Sequence, residues 1–94
     1  MENHLTVKFF TVDRQIPDMI CDGVRLPVSD NFKGEFSGLY GIKKSHARAV
    51  FSLKAGKVSV DADGKQIFSA NISDGFAIVE NDEIRITVDN VEEC

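Results

Sequence analysis

Side chains that could do chemistry are few and scattered in this chain of 94 residues. The histidines and cysteines are single residues, namely His4, His46, Cys21 and Cys94. A catalytic nucleophile needs a base within hydrogen-bonding reach, but the neighbours Ser45 and His46 point to opposite sides of an extended backbone. A zinc site needs three or four ligands in paired spacing. The sequence therefore predicts no hydrolytic site, no metal site and no cofactor.

The stretch GEFSGLYGIKKSH, residues 34–46, raises the alternative of a ligand-cradling loop. It lacks the GxxxxGK[S/T] pattern of a phosphate loop, and no predicted helix follows whose N terminus could hold an anion. The acids Asp61 and Asp63 lie at a predicted hairpin, where solvent-facing acids are usual. Without an enzyme signature, the chain is predicted to work through binding or scaffolding.

The charge distribution bears on the class of partner. The net charge of −4 argues against a nucleic-acid binder, which needs a basic surface. Residues 43–57 carry five basic side chains and no acid, whereas residues 80–94 carry six acids against Arg85 alone. Opposed patches of this kind can orient a partner. Solvated faces of strands explain the same pattern.

The cysteines and the apolar runs bear on the cellular compartment. Because Cys94 is the last residue, a structural disulfide with Cys21 is not expected. The chain opens without a charged and then apolar leader, and its apolar runs span only a few residues. We therefore expect a cytoplasmic protein that reaches a membrane only through a partner.

The dominant hydrophobic period is two, the period of strands, and helical periodicity is absent. Clean alternation covers residues 5–9, 57–62 and 84–88, whereas residues 75–79 form a more continuous apolar run. Asp63-Gly64 and Asn81-Asp82 predict tight turns. These signals predict an all-β fold: one small two-sheet β-sandwich (a flattened barrel) over residues 1–94, with about 8–10 short, mostly antiparallel strands.

Several motifs, in order, resemble a known family. Residues 5–14, LTVKFFTVDR, resemble a strand and turn of the form VxIVTPD, and residues 21–27, CDGVRLP, loosely match VxxVxxPG. Residues 41–49 and 51–56, GIKKSHARA and FSLKAG, resemble GEFGILPNHAPL and TALKPG. Residues 72–89 are similar to VSGGFVEVxxNxVTVLAD. The family is the ATP synthase epsilon subunit, and the similar part is its N-terminal β-sandwich domain.

The resemblance implies a non-catalytic central-stalk subunit of an F-type ATP synthase, which couples the gamma subunit to the membrane c-ring during proton- or sodium-driven ATP synthesis. One sheet face or edge would bind gamma, and the loops at residues 28–42 and Val12–Gln15 would contact the c-ring. Large apolar groups on loops suggest contact, although they can also cap the open end of a sandwich. The candidate contacts are Phe32, Glu35, Phe36, Leu39, Tyr40, Lys43 and His46.

Two departures from the family pattern matter. The family's GEFG can be placed at Gly34-Glu35-Phe36 or at residues 38–41, and the spacing to His46 favours the second, with Leu39 in the acidic position. Relatives continue into two helices, whereas this chain stops at residues 91–94, so no C-terminal helical domain is expected. The alternative is a free-standing β-sandwich interaction or ligand-binding module that shares only the architecture.

Overall fold

The computed structural model describes residues 4–12, 14–28, 39–43 and 48–93. These residues form ten strands and no helix. The strands are β1 (Leu5–Phe10), β2 (Met19–Cys21), β3 (Gly23–Pro27), β4 (Leu39–Lys43), β5 (Ala49–Leu53), β6 (Gly56–Ala62), β7 (Lys65–Ile72), β8 (Gly75–Glu80), β9 (Glu83–Val88) and β10 (Val91–Glu93). The predicted all-β architecture is confirmed.

The strands form two five-stranded sheets. Sheet I has the order β2-β1-β9-β8-β5, and sheet II has the order β10-β7-β6-β3-β4. Every pairing within the sheets is antiparallel except that of β1 with β9, which is parallel. The predicted sandwich with mostly antiparallel strands is confirmed.

The core lies between the sheets because alternate residues of each strand point inward. In β9 the alternation is complete, with buried Ile84, Ile86 and Val88 separated by half-buried residues. Across the core, sheet II contributes Leu26 and Val60, which are also fully buried. Burial of side chains of this size supplies about 1.5–3 kcal/mol each, so the alternation stabilises both sheets and fixes their register.

Two hairpins carry the turn chemistry that the sequence predicts. Asp63 and Gly64 between β6 and β7 have φ of 54° and 76°, and Asn81 and Asp82 between β8 and β9 have φ of 53° and 59°. Paired positive φ values are those of a type I′ turn, whose twist matches that of the flanking strands. Both predicted turns are confirmed.

The connection between β3 and β4 is shorter than the predicted loop at residues 28–42. Residues 39–43 form the edge strand β4 and pair with β3, so the predicted loop 28–42 is wrong for its last four residues. It is also wrong for Val28, which is buried and bridges to Leu53. The backbone N–H of Lys54 donates to the carbonyl of Pro27 at 2.9 Å. These contacts link sheet II to sheet I at one edge of the sandwich.

A second link between the sheets comes from the β1–β2 connection. Thr11 Oγ1 donates to the carbonyl of Asp89 at 2.9 Å, and Arg14 Nη1 donates to the carbonyl of Val91 at 3.0 Å. Ser73 Oγ accepts from the backbone N–H groups of Asp89 and Asn90. The segment that joins β9 to β10 is therefore held on both sides.

Gly75 permits the close approach of β8 to β9. A Cβ atom at this position would overlap the Thr87 carbonyl and lie 2.8 Å from Val88 Cγ1, whereas at Gly41 it would meet nothing within 4 Å. We expect Gly75→Ala to lower the free energy of unfolding by about 1–3 kcal/mol, because backbone atoms must shift. Gly41→Ala, the matched control, should be neutral or slightly stabilising. Equal denaturation midpoints for the two variants would contradict this prediction.

Cys21 predicts a stability change at alkaline pH. Its thiol is buried, and burial raises its pKa from 9.0 to about 11. The unfolded chain thus loses the thiol proton first, so the free energy of unfolding should fall as pH rises from about 9 to about 11. Denaturant titrations at about pH 8 and pH 11 should show a smaller decline in the free energy of unfolding for Cys21→Ala than for its parent. Both proteins carry Cys94→Ser, so that Cys21 is the thiol under test. Identical declines would refute the assignment.

Candidate partner-binding surface

The predicted contact residues divide into two groups. Phe32, Glu35, Phe36 and His46 lie outside the described residues. The others, Leu39, Tyr40 and Lys43, lie in β4, the edge strand of sheet II, opposite Pro27, Leu26 and Gly23. Of the two placements of the GEFG-like motif, the one at residues 38–41 therefore falls largely in a strand rather than in a loop.

The sequence-based interpretation missed an apolar surface on the outer face of sheet I. Phe10, Val50 and Phe76 have exposed fractions of 49%, 65% and 43%, and half-buried Ile78 lies beside them. The strand register places Phe76 opposite Thr87, which in turn lies opposite Phe10, while Ile78 lies opposite Val50. Phe10, Val50, Phe76 and Ile78 therefore occupy two neighbouring rows, and we call them the apolar patch.

The outer face of sheet II is different in character. It carries Arg25, Lys57 and Asn71, and Arg25 Nη2 lies 3.0 Å from an Asp61 carboxylate oxygen. Outside β4, the exposed large hydrophobic side chain among the described residues of this sheet is Ile67, at the bulge in the β6–β7 pairing. Because soluble domains rarely expose contiguous apolar groups, sheet I offers the better docking face.

A signal for this surface is present in the sequence. A strand buried on one face alternates, but residues 75–79 of β8 are apolar at successive positions. Ala77 and Val79 point into the core, and Phe76 and Ile78 point outward. The continuous apolar run therefore reflects a strand that is apolar on both faces.

Charged side chains form an ion-pair ladder beside the apolar patch, on the same outer face. Arg85 Nε lies 2.9 Å from Glu83 Oε2, and Arg85 Nη2 lies 3.6 Å from Glu80 Oε1. Glu80 Oε2 lies 3.8 Å from Arg48 Nε. At the other side of the face, Lys8 Nζ lies 3.0 Å from Asp18 Oδ2.

The two parts of the ladder are within electrostatic reach of each other. Asp18, through its hydrogen bond and its charge, raises the pKa of Lys8; Glu83 also raises that pKa, and Arg85 lowers it. The ladder holds three basic and three acidic side chains, so its formal charge is zero. Arg48 of the basic segment is thus paired with Glu80 of the acidic segment, and these two segments are not fully opposed patches.

The described part of the chain offers little to a small ligand. An open cleft of about 440 Å³ lies along Asn71, Ser73, Asn90 and Glu92, but Ser73 Oγ already accepts two backbone hydrogen bonds there. Within the described ranges, no group of three or more His, Cys, Asp or Glu residues is placed to hold a metal ion. Nor does any helix there have the length and apolar character needed to cross a bilayer.

Comparison with known proteins gives a family. The family model described as the β-sandwich domain of the ATP synthase delta/epsilon chain matches residues 4–94. The chain is 35% identical to the ATP synthase epsilon chain of Synechococcus sp. (strain JA-2-3B'a(2-13)) and 33% identical to that of Microcystis aeruginosa, each over 88 residues. These matches cover 94% of this chain and 58% of each relative.

A solved structure has the same fold. A chain in the cryo-EM structure of the Euglena gracilis mitochondrial ATP synthase (OSCP/F1/c-ring, rotational state 1) matches with a TM-score of 0.81 and 19% identity. The match covers 99% of this chain and 55% of that one. The chain thus spans somewhat more than half the length of these relatives. The family match over residues 4–94 and the two epsilon-chain relatives show that the chain belongs to the ATP synthase delta/epsilon chain family, of which it matches the β-sandwich domain.

Proposed function

We propose that this chain is a rotor subunit that couples the gamma subunit of an F-type ATP synthase to the membrane c-ring during proton- or sodium-driven ATP synthesis. Family membership supports this role, and the observation that carries it is the apolar patch on sheet I. In this role the chain does no chemistry of its own. It lies on the cytoplasmic side and reaches the inner or plasma membrane only through the complex.

The apolar patch is the proposed gamma-binding surface. A permanent interface has a desolvated apolar centre, and aromatic side chains are enriched there. Phe10 and Phe76 meet this requirement, with Val50 and Ile78 beside them. Because these side chains stand on paired strands of one sheet, their spacing is fixed before gamma binds, which limits the entropy lost on assembly.

The c-ring contact is proposed at residues 29–42, without the buried Val28, and at the turn Val12–Gln15, with the candidate residues named above. Support comes from the exposure of Val12, at 82%, and from the anchoring of Arg14 on the carbonyl of Val91. A free-standing interaction module remains the second candidate. It would share this fold but have no affinity for ATP synthase subunits.

Substitution on sheet I tests the gamma contact. We expect Phe76→Asp and Val50→Asp each to weaken binding to the purified gamma subunit of the same organism at least about tenfold, because a carboxylate would be desolvated without a partner. Ile67→Asp, the control on sheet II, should bind like the parent. Calorimetric titration gives the affinity, and thermal melts establish that each variant folds. Absence of parent binding, or equal losses in all three variants, would exclude this surface.

Substitution in the 29–42 segment tests the c-ring contact separately. We expect Phe36→Asp or Tyr40→Asp to reduce co-purification with the c-ring while gamma binding and the melting temperature stay near parent values. Phe76→Asp should have the reverse effect, weakening binding to gamma more than co-purification with the c-ring. A large drop in melting temperature would show instead that Phe36 or Tyr40 belongs to the core.

A further inference from the structure

We infer that the basic and acidic side chains of the ion-pair ladder neutralise one another on the outer face of sheet I. The ladder can then be buried intact against an uncharged surface of gamma. The inference rests on the proposed function and adds to it the kind of surface that gamma must present. It names Arg85 as the residue that makes this face compatible with such a partner. The contact would be apolar at the patch and without countercharges opposite the ladder.

The ladder and the apolar patch share rows of the sheet, so one partner surface must cover both. Arg85 lies opposite Ile78 on β8 and opposite Lys8 on β1. Ile78 in turn lies opposite Val50. A partner that covers Val50 and Ile78 therefore meets Arg85 next in the same row.

Burial of single charges there would be costly. An unpaired ion that loses its water costs several kcal/mol, whereas a paired and hydrogen-bonded ion already has its counter-charge in place. Arg85 has Glu83 on one side and Glu80 on the other, and Glu80 also meets Arg48. The side chains of Arg85, Glu80 and Glu83 are 37%, 32% and 33% exposed, so part of their water is already lost, whereas Arg48 and Asp18 at the ends of the ladder are 76% and 55% exposed.

Removal of Arg85 alone should therefore be more harmful than removal of a complete pair. In Arg85→Gln, Glu83 loses its 2.9 Å partner, and among the described residues Glu80 keeps Arg48 at 3.8 Å. In the double variant Glu83→Gln/Arg85→Gln, the remaining pairs, Arg48 with Glu80 and Lys8 with Asp18, still balance. Arg25→Gln breaks a comparable pair on sheet II, with Asp61 at 3.0 Å, and serves as the matched control.

The experiment measures affinity and association rate for purified gamma at low and high salt. For the parent we expect the association rate to change less than about threefold between 50 and 500 mM NaCl, because a neutral face is not steered electrostatically. We expect Arg85→Gln to bind at least about tenfold more weakly, and the double variant to recover to within about threefold of the parent. Arg25→Gln should match the parent, and all melting temperatures should agree within about 4 °C.

Three results would overturn the inference. A parent association rate that falls steeply with salt would mean that gamma supplies countercharges. Parent-like binding by Arg85→Gln would mean that the ladder stays in water, and a double variant as weak as Arg85→Gln would mean that pairing is not what matters. Failure of the parent to bind gamma would refute the proposed function itself, and the inference with it.

Discussion

The parallel pairing of β1 with β9 is the constraint on which sheet I depends. It joins the first strand to the ninth, placing Val7 opposite Ile84 and Phe9 opposite Ile86 in the core. β2 is attached to the sheet only through β1, while β8 and β9 form their own hairpin. Because strands distant in sequence must overcome loop-closure entropy before they pair, we expect the β8–β9 hairpin to form first and β1 to dock on it.

Local rules explain which parts of the fold were predictable. Alternation in β6 and β9 and the Asp63-Gly64 and Asn81-Asp82 turns depend on neighbours in sequence, so the strands and hairpins could be predicted. Which strand lies beside β1 depends on distant residues, and no local pattern specifies it. The contact surface was harder still, because Phe10, Val50 and Phe76 fall in two neighbouring rows only after β1, β5, β8 and β9 are in register.

Sheet I must serve two surfaces at once. Its inner face stabilises the sandwich through alternating aliphatic residues, and its outer face presents the apolar patch and the ladder. In β8 this gives apolar residues on both sides, as in a strand buried between two layers. The domain is in this respect built like two layers of a three-layer structure, in which the third layer would belong to another subunit.

The links between the sheets have a mechanical meaning. The Val28–Leu53 bridge joins the two sheets at one edge, and Arg14 ties the β1–β2 connection to β10. Without such links, two packed sheets under a shearing force can slide past each other, because the apolar contacts between them are non-directional. Hydrogen bonds that cross from one sheet to the other oppose that sliding. We therefore expect the sandwich to resist shear between its sheets better than apolar packing alone would allow, so that a twist applied to one sheet is passed on to the other.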